Sequence, residues 1–98
     1  MMLKPGVKPT SLQPELLLGI MVAKHVYLEI GKEFTLTSLN DGEHMPGSLH
    51  YDGLACDLRS RHLHDPGMVA QRIRERLTDD YDVVVEKDHI HLEFQPKG

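Results

Sequence analysis

The sequence predicts an α+β fold: a small, mostly antiparallel sheet with two helices packed on one face. Three observations carry that expectation. An apolar run of helical length begins at Leu16, and Val69, Ile73 and Leu77 later recur every fourth residue. Two later stretches instead alternate with the period of a strand: Leu54, Cys56 and Leu58, then Ile90, Leu92 and Phe94. The connections between the later elements are short, which suits a helix-covered antiparallel sheet. At 98 residues the chain holds one core, so 1–98 reads as a single domain.

Taken in order, Met1–Gln13 reads as an extended lead-in, broken by Pro5, Gly6 and Pro9. Pro14 suits a first helical turn, where a missing N–H costs nothing, and Glu15 suits the positive end of the helix dipole. The helix continues through Leu16, Leu17, Ile20, Met21, Val26 and Leu28 and ends before Gly31. Glu33–Leu39 is a strand, carried by Phe34, Thr35, Leu36 and Thr37. Asn40–His50 is loop-like, with Asn-Asp-Gly and Pro-Gly turns. Gly53–Arg59 is the first alternating strand. Asp65-Pro66 caps and opens the second helix. Thr78–Asp82 reads as a turn, Val83–Val85 as a short strand and His89–Phe94 as the last one.

The composition excludes several classes of function. A formal net charge of −4 argues against a nucleic-acid binder held by general charge attraction. No apolar run approaches the roughly 20 residues of a membrane span. Met1–Thr10 lacks the apolar stretch of a secretory signal, so synthesis in the cytoplasm is expected. A lone cysteine, Cys56, excludes an internal disulfide framework and points into the core. Seven histidines and no tryptophan point instead to metal or acid–base chemistry.

Their placement sharpens that reading. Asp57 lies opposite the Leu54/Cys56/Leu58 face, and His89, His91 and Glu93 lie opposite the Ile90/Leu92/Phe94 face. If the apolar faces share one core, the polar residues share the other side of the sheet. His50 stands just before the first of these strands, so His50, Asp57 and His91 can converge. Two imidazoles and a carboxylate suit zinc with a fourth position open, the pattern of a catalytic centre. Asp88 and His89 are close enough in sequence to supply the general base. Any one of these histidines, taken alone, is more simply a surface residue; His62-Leu63-His64 shows how ordinary a His-x-His can be.

The joint pattern resembles a known family. Ser48-Leu49-His50-Tyr51-Asp52-Gly53-Leu54-Ala55-Cys56-Asp57 matches the Ser-x-His-x-x-Gly-x-Ala-x-Asp motif of zinc D-alanyl-D-alanine carboxypeptidases and phage L-alanyl-D-glutamate endopeptidases. Asp88-His89-Ile90-His91 resembles the second motif in both of its forms, acid-x-x-His and His-x-His. The resemblance covers about Thr35–Phe94 and implies a hedgehog/D-Ala-D-Ala peptidase-like scaffold. It implies zinc as cofactor, held by His50, Asp57 and His91. Asp88 would be the base and His89 would hold the oxyanion or orient that base. Ser48 would fix the His50 loop, Gly53 would permit close backbone approach and Ala55 would leave room beside the metal. The substrate would be a peptidoglycan stem peptide, hydrolysed by metal-activated water without an acyl-enzyme, and the size fits a phage or prophage product acting at the cell wall.

Members of that family often carry an arginine shortly after a Thr-Ser strand end, to bind substrate. Here Leu39-Asn40-Asp41 follows Thr37-Ser38, and Arg59 and Arg61 are the candidates to replace it. A shifted register would make Glu86 the base and His89 the ligand, whereas Glu93 after His91 fits the family's last strand. Glu93 is also placed to hydrogen-bond a ligand histidine, with a solvated role as the alternative. His44 reads as a loop residue, His25 as the polar boundary of the first helix, and Arg72, Arg74 and Arg76 as the solvated side of the second. The functional alternative is a non-catalytic zinc-binding structural or interaction module on the same scaffold.

Overall fold

The computed structural model describes residues 2–3, 14–39 and 55–95. Its elements run β1 (Met2–Leu3), α1 (Pro14–Glu29), β2 (Thr35–Leu39), β3 (Ala55–Arg59), α2 (Pro66–Arg76), β4 (Tyr81–Val85) and β5 (His89–Phe94). The strands form one sheet in the order β1-β2-β3-β5-β4. The pairs from β2 to β4 are antiparallel, and two-residue β1 joins the β2 edge in parallel. The fold is therefore α+β.

Local chemistry sets the helix ends. Asp65 caps α2 by accepting from the Met68 N–H at 3.1 Å, and Pro66 occupies the first turn. α1 closes at Gly31, whose φ of +70° lets the Lys32 N–H turn back to the Tyr27 carbonyl at 2.9 Å. A Cβ at that φ would be strained.

Both helices cover the same side of the sheet. Leu16, Ile20, Ala23, Val26 and Tyr27 from α1 and Val69, Ala70 and Ile73 from α2 pack with Leu36, Cys56, Leu58, Val83, Ile90 and Leu92. Tyr27 is fully buried; its ring meets Phe34 edge-on at 5.0 Å and its hydroxyl donates to the Arg59 carbonyl at 2.8 Å. That bond fastens α1 to the end of β3.

The structure departs from the sequence reading in three places. Met2–Leu3, expected only as part of an extended lead-in, is paired as a strand with Thr35–Leu36. The strand after the lead helix starts at Thr35, not Glu33. β4 starts at Tyr81, two residues before the valines. Thr78–Asp82 looks like a turn because it is polar, but the turn closes by Asp80, with the Tyr81 N–H bonded to the Thr78 carbonyl at 3.1 Å. Asp82 then lies opposite Glu93, while Tyr81 packs on Phe94 at 5.1 Å. A polar residue belongs in a strand when its face is turned from the core.

Two arginines expected on the solvated side of α2 have specific work. Arg76 forms an exposed ion pair with Glu29 at 2.6 Å. The Arg74 guanidinium donates twice to the Val83 carbonyl, at 2.9 and 2.6 Å. The backbone pairs Asp80–Gln95 and Glu86–His89 fix the alternation of β4, so Val83 points its carbonyl away from β5.

Candidate metal centre

The register of β3 and β5 builds the site. Asp57 lies opposite His91, Arg59 opposite His89 and Ala55 opposite Glu93. Cys56 and Leu58 face the core, so their neighbours on β3 face away from it, as the alternation predicts. β2 adds Thr37 and Ser38: its register shifts between Leu36 and Ser38, which sets Ser38 opposite Asp57. The Thr37 hydroxyl reaches the Asp57 carbonyl at 3.4 Å.

His91 sits between two carboxylates. Its Nδ1 is 2.9 Å from Asp57 Oδ1, and its Nε2 is 2.9 Å from Glu93 Oε1. In the protonated ring both nitrogens donate. Asp57 is the main cause, with Glu93 adding to it, and together they raise the His91 pKa from 6.5 to about 9, against the opposing effect of burial. Glu93 is only 4% exposed, so it is a direct partner of the histidine rather than a solvated strand residue.

Beside this pair stands another. The Nδ1–H of His89 donates to Asp88 Oδ1 at 2.9 Å, which leaves Nε2 facing Asp57 Oδ1 at 3.7 Å. Asp88 is exposed, and its hydrogen bond to His89 holds its carboxyl below the usual carboxylate range. The Ser60 N–H bonds the Asp88 carbonyl at 3.3 Å and ties this corner to the end of β3. A polar cavity of about 200 Å³ opens here, lined by Thr37, Ser38, Asp57, Arg59, Arg61, Asp88 and His89.

The structure thus brings together Asp57, His91, Asp88 and His89. His50, Ser48, His44, Gly53 and Leu54 lie outside the described residues. Among the described residues no three ligand-type side chains form a metal-holding group. Asp57 and His91 offer the carboxylate and imidazole donors that zinc takes. Two atoms bound to one zinc by bonds of about 2.0–2.2 Å stand about 3.3 Å apart, so opening the 2.9 Å contact by a few tenths of an ångström would admit the ion. Asp57 and His91 are thus two donors of the kinds zinc takes. Glu86 is exposed just past the end of β4 and does not line the cavity, whereas Asp88 does.

Thr37 and Ser38 were missed as site residues. The alternating pattern could not place them, because the shift in register moves Ser38 across from Asp57. Cys56 is buried, and burial pushes its thiol pKa far up, so it is inert packing. No helix among the described residues is long and apolar enough to cross a membrane. Compared with family models, with curated proteins and with solved structures, the chain matches none of them.

Proposed function

We propose that the chain is a zinc-dependent hydrolase of the D-alanyl-D-alanine peptidase type, on a hedgehog/D-Ala-D-Ala peptidase-like scaffold, acting on peptidoglycan stem peptides. One observation carries the reading. The aspartate of the first motif and the last histidine of the second are cross-strand neighbours 2.9 Å apart, with Asp88 and His89 on the same rim. One described residue from each motif, Asp57 and His91, thereby stands at the same cross-strand position.

His50, Asp57 and His91 would hold the zinc. When bound, the metal would polarise the scissile carbonyl and make water a usable nucleophile near neutral pH. Glu93 holds the far nitrogen of the His91 ring, which fixes the ring's orientation. Asp88 fixes the His89 tautomer so that Nε2 faces the cavity and can accept a proton. Arg59 and Arg61 line the same cavity, where the charge of Arg61 acts on Asp88, and their guanidiniums are of the kind that receives a substrate carboxylate.

A second reading, a zinc-binding module without catalysis, draws on one feature. Asp88 is held below the usual carboxylate range, which weakens it as a proton acceptor. The test begins with zinc content per chain for the wild type and for His50→Ala, Asp57→Ala and His91→Ala. About one zinc in the wild type, lost in all three variants, supports the site; an empty wild type after zinc is supplied overturns it. Digestion of stem peptides then decides. Cleavage abolished in His89→Gln with zinc retained supports the hydrolase, and a zinc-loaded protein that cleaves none of them supports the module.

A further inference from the structure

α1 is apolar on both sides. Its inner side fills the core, yet its outer side leaves Leu17 42%, Leu18 54%, Met21 58% and Leu28 60% exposed. Together these present an apolar surface of a few hundred Å², the size at which a patch on a soluble protein usually marks an interaction site. A helix that is apolar all round is normally covered all round.

The spacing and the surrounding charges say what covers it. Leu18, Met21, His25 and Leu28 follow at intervals of three, four and three, the seam of two helices packed side by side. Alongside runs a groove of about 230 Å³ lined by Met21, Val22, His25 and Arg76, almost wholly apolar. α1 itself carries Glu15 at one end and Glu29 at the other, and α2 makes the second corner basic by adding two arginines. Glu15 marks the N-terminal end; its carboxylate forms no ion pair with a cation among the described residues and acts on the nearby Tyr81 hydroxyl. Arg76 lies against Glu29 at the C-terminal end, with Arg72 one turn away on α2.

We infer that α1 pairs antiparallel with α1 of a second copy of this chain. A two-fold axis near residue 23 would set Leu18 against Leu28 of the other copy, and Met21 against His25 and the groove. Each acidic end would then meet the other copy's basic corner, and the opposed helix dipoles add to the fit. The contact is isologous, so it closes at two chains. A single helix pair of about 24 Å buries on the order of 1,000 Å² in total, the lower limit for a specific interface, so the dimer is weak. The metal-site face lies across the sheet from α1 and stays open.

Sedimentation of the full chain from about 5 μM to 500 μM tests this, with Leu18→Glu and Met21→Glu alongside and circular dichroism as the check that both fold. The expected result is a mass that moves from one chain toward two, with dissociation constants raised at least tenfold in both variants. Val22→Cys, beside the axis, should cross-link to itself under mild oxidation, whereas Leu18→Cys should not. A wild type that remains monomeric across the range overturns the inference. So does a dimer indifferent to Leu18→Glu and Met21→Glu, or one in which Val22→Cys fails to cross-link.

Discussion

The Asp57–His91 pair makes the folding stability of metal-free protein depend on pH in a defined direction. Folding raises the His91 pKa from 6.5 to about 9, chiefly through its hydrogen bond to Asp57. The folded state therefore holds a proton that the unfolded chain has already released. The stabilisation is complete below pH 6.5 and is lost as pH rises through about 9. The full shift corresponds to about 3 kcal/mol. The side chain keeps 32% of its surface in water and shares its proton between two carboxylates, so solvent screening reduces this to about 1–2 kcal/mol. The assay is urea unfolding in chelator at about pH 6 and about pH 9.5, for wild type and Asp57→Asn. Wild type should lose about 1–2 kcal/mol across that interval, and Asp57→Asn distinctly less, because the amide removes the larger cause. If His91 ligates zinc as proposed, supplying zinc should reverse the dependence, since a ligand imidazole must be deprotonated. Parallel pH profiles for wild type and Asp57→Asn in chelator would refute the reasoning.

Three further outcomes are expected. Cys56 should resist thiol reagents in native protein and react fully in denaturant, as titration with a chromogenic disulfide would show; rapid native labelling would contradict its burial. Tyr27→Phe should cost about 1 kcal/mol in chemical denaturation, because the Arg59 carbonyl loses its 2.8 Å donor while the ring stays packed. Gly19→Val should lower thermal stability by about 1–3 kcal/mol, because a side chain there meets Tyr81 at 3.1 Å and fully buried Leu92 at 3.3 Å. Gly19→Ala should stay close to wild type, since about 1 kcal/mol of helix propensity offsets the milder crowding.

The fold was legible where patterns were periodic and locally punctuated. Asp65-Pro66 marked the start of α2, Gly31 marked the end of α1, and the Ile90/Leu92/Phe94 alternation fixed both the bounds of β5 and the face that carries His91. Legibility failed where position depended on a distant partner. Tyr81 and Asp82 look like turn residues until β5 is there to pair with them, and Met2–Leu3 gains its strand character only from β2. At the candidate site, two strands with matching alternation were enough to bring Asp57 and His91 together. The bond from Glu93 to His91 was legible too, since the two stand two residues apart on one strand face; the shift in register near Ser38 was not. It depends on the offset between neighbouring strands, which no single segment encodes.

The Arg74 guanidinium has a consequence for how this protein meets others of its kind when crowded. β4 is an edge strand of three successive valines preceded by Tyr81 and Asp82, with Val84 and Val85 partly exposed, a segment well suited to recruiting a foreign strand. An incoming backbone would have to bond the outward carbonyl of Val83, and Arg74 already occupies it. Fibre growth from that edge would first have to evict a cation that no accessible pH neutralises. The resistance of the sheet to templated growth is thus stored in a surface helix, in a residue that adds nothing to the apolar core.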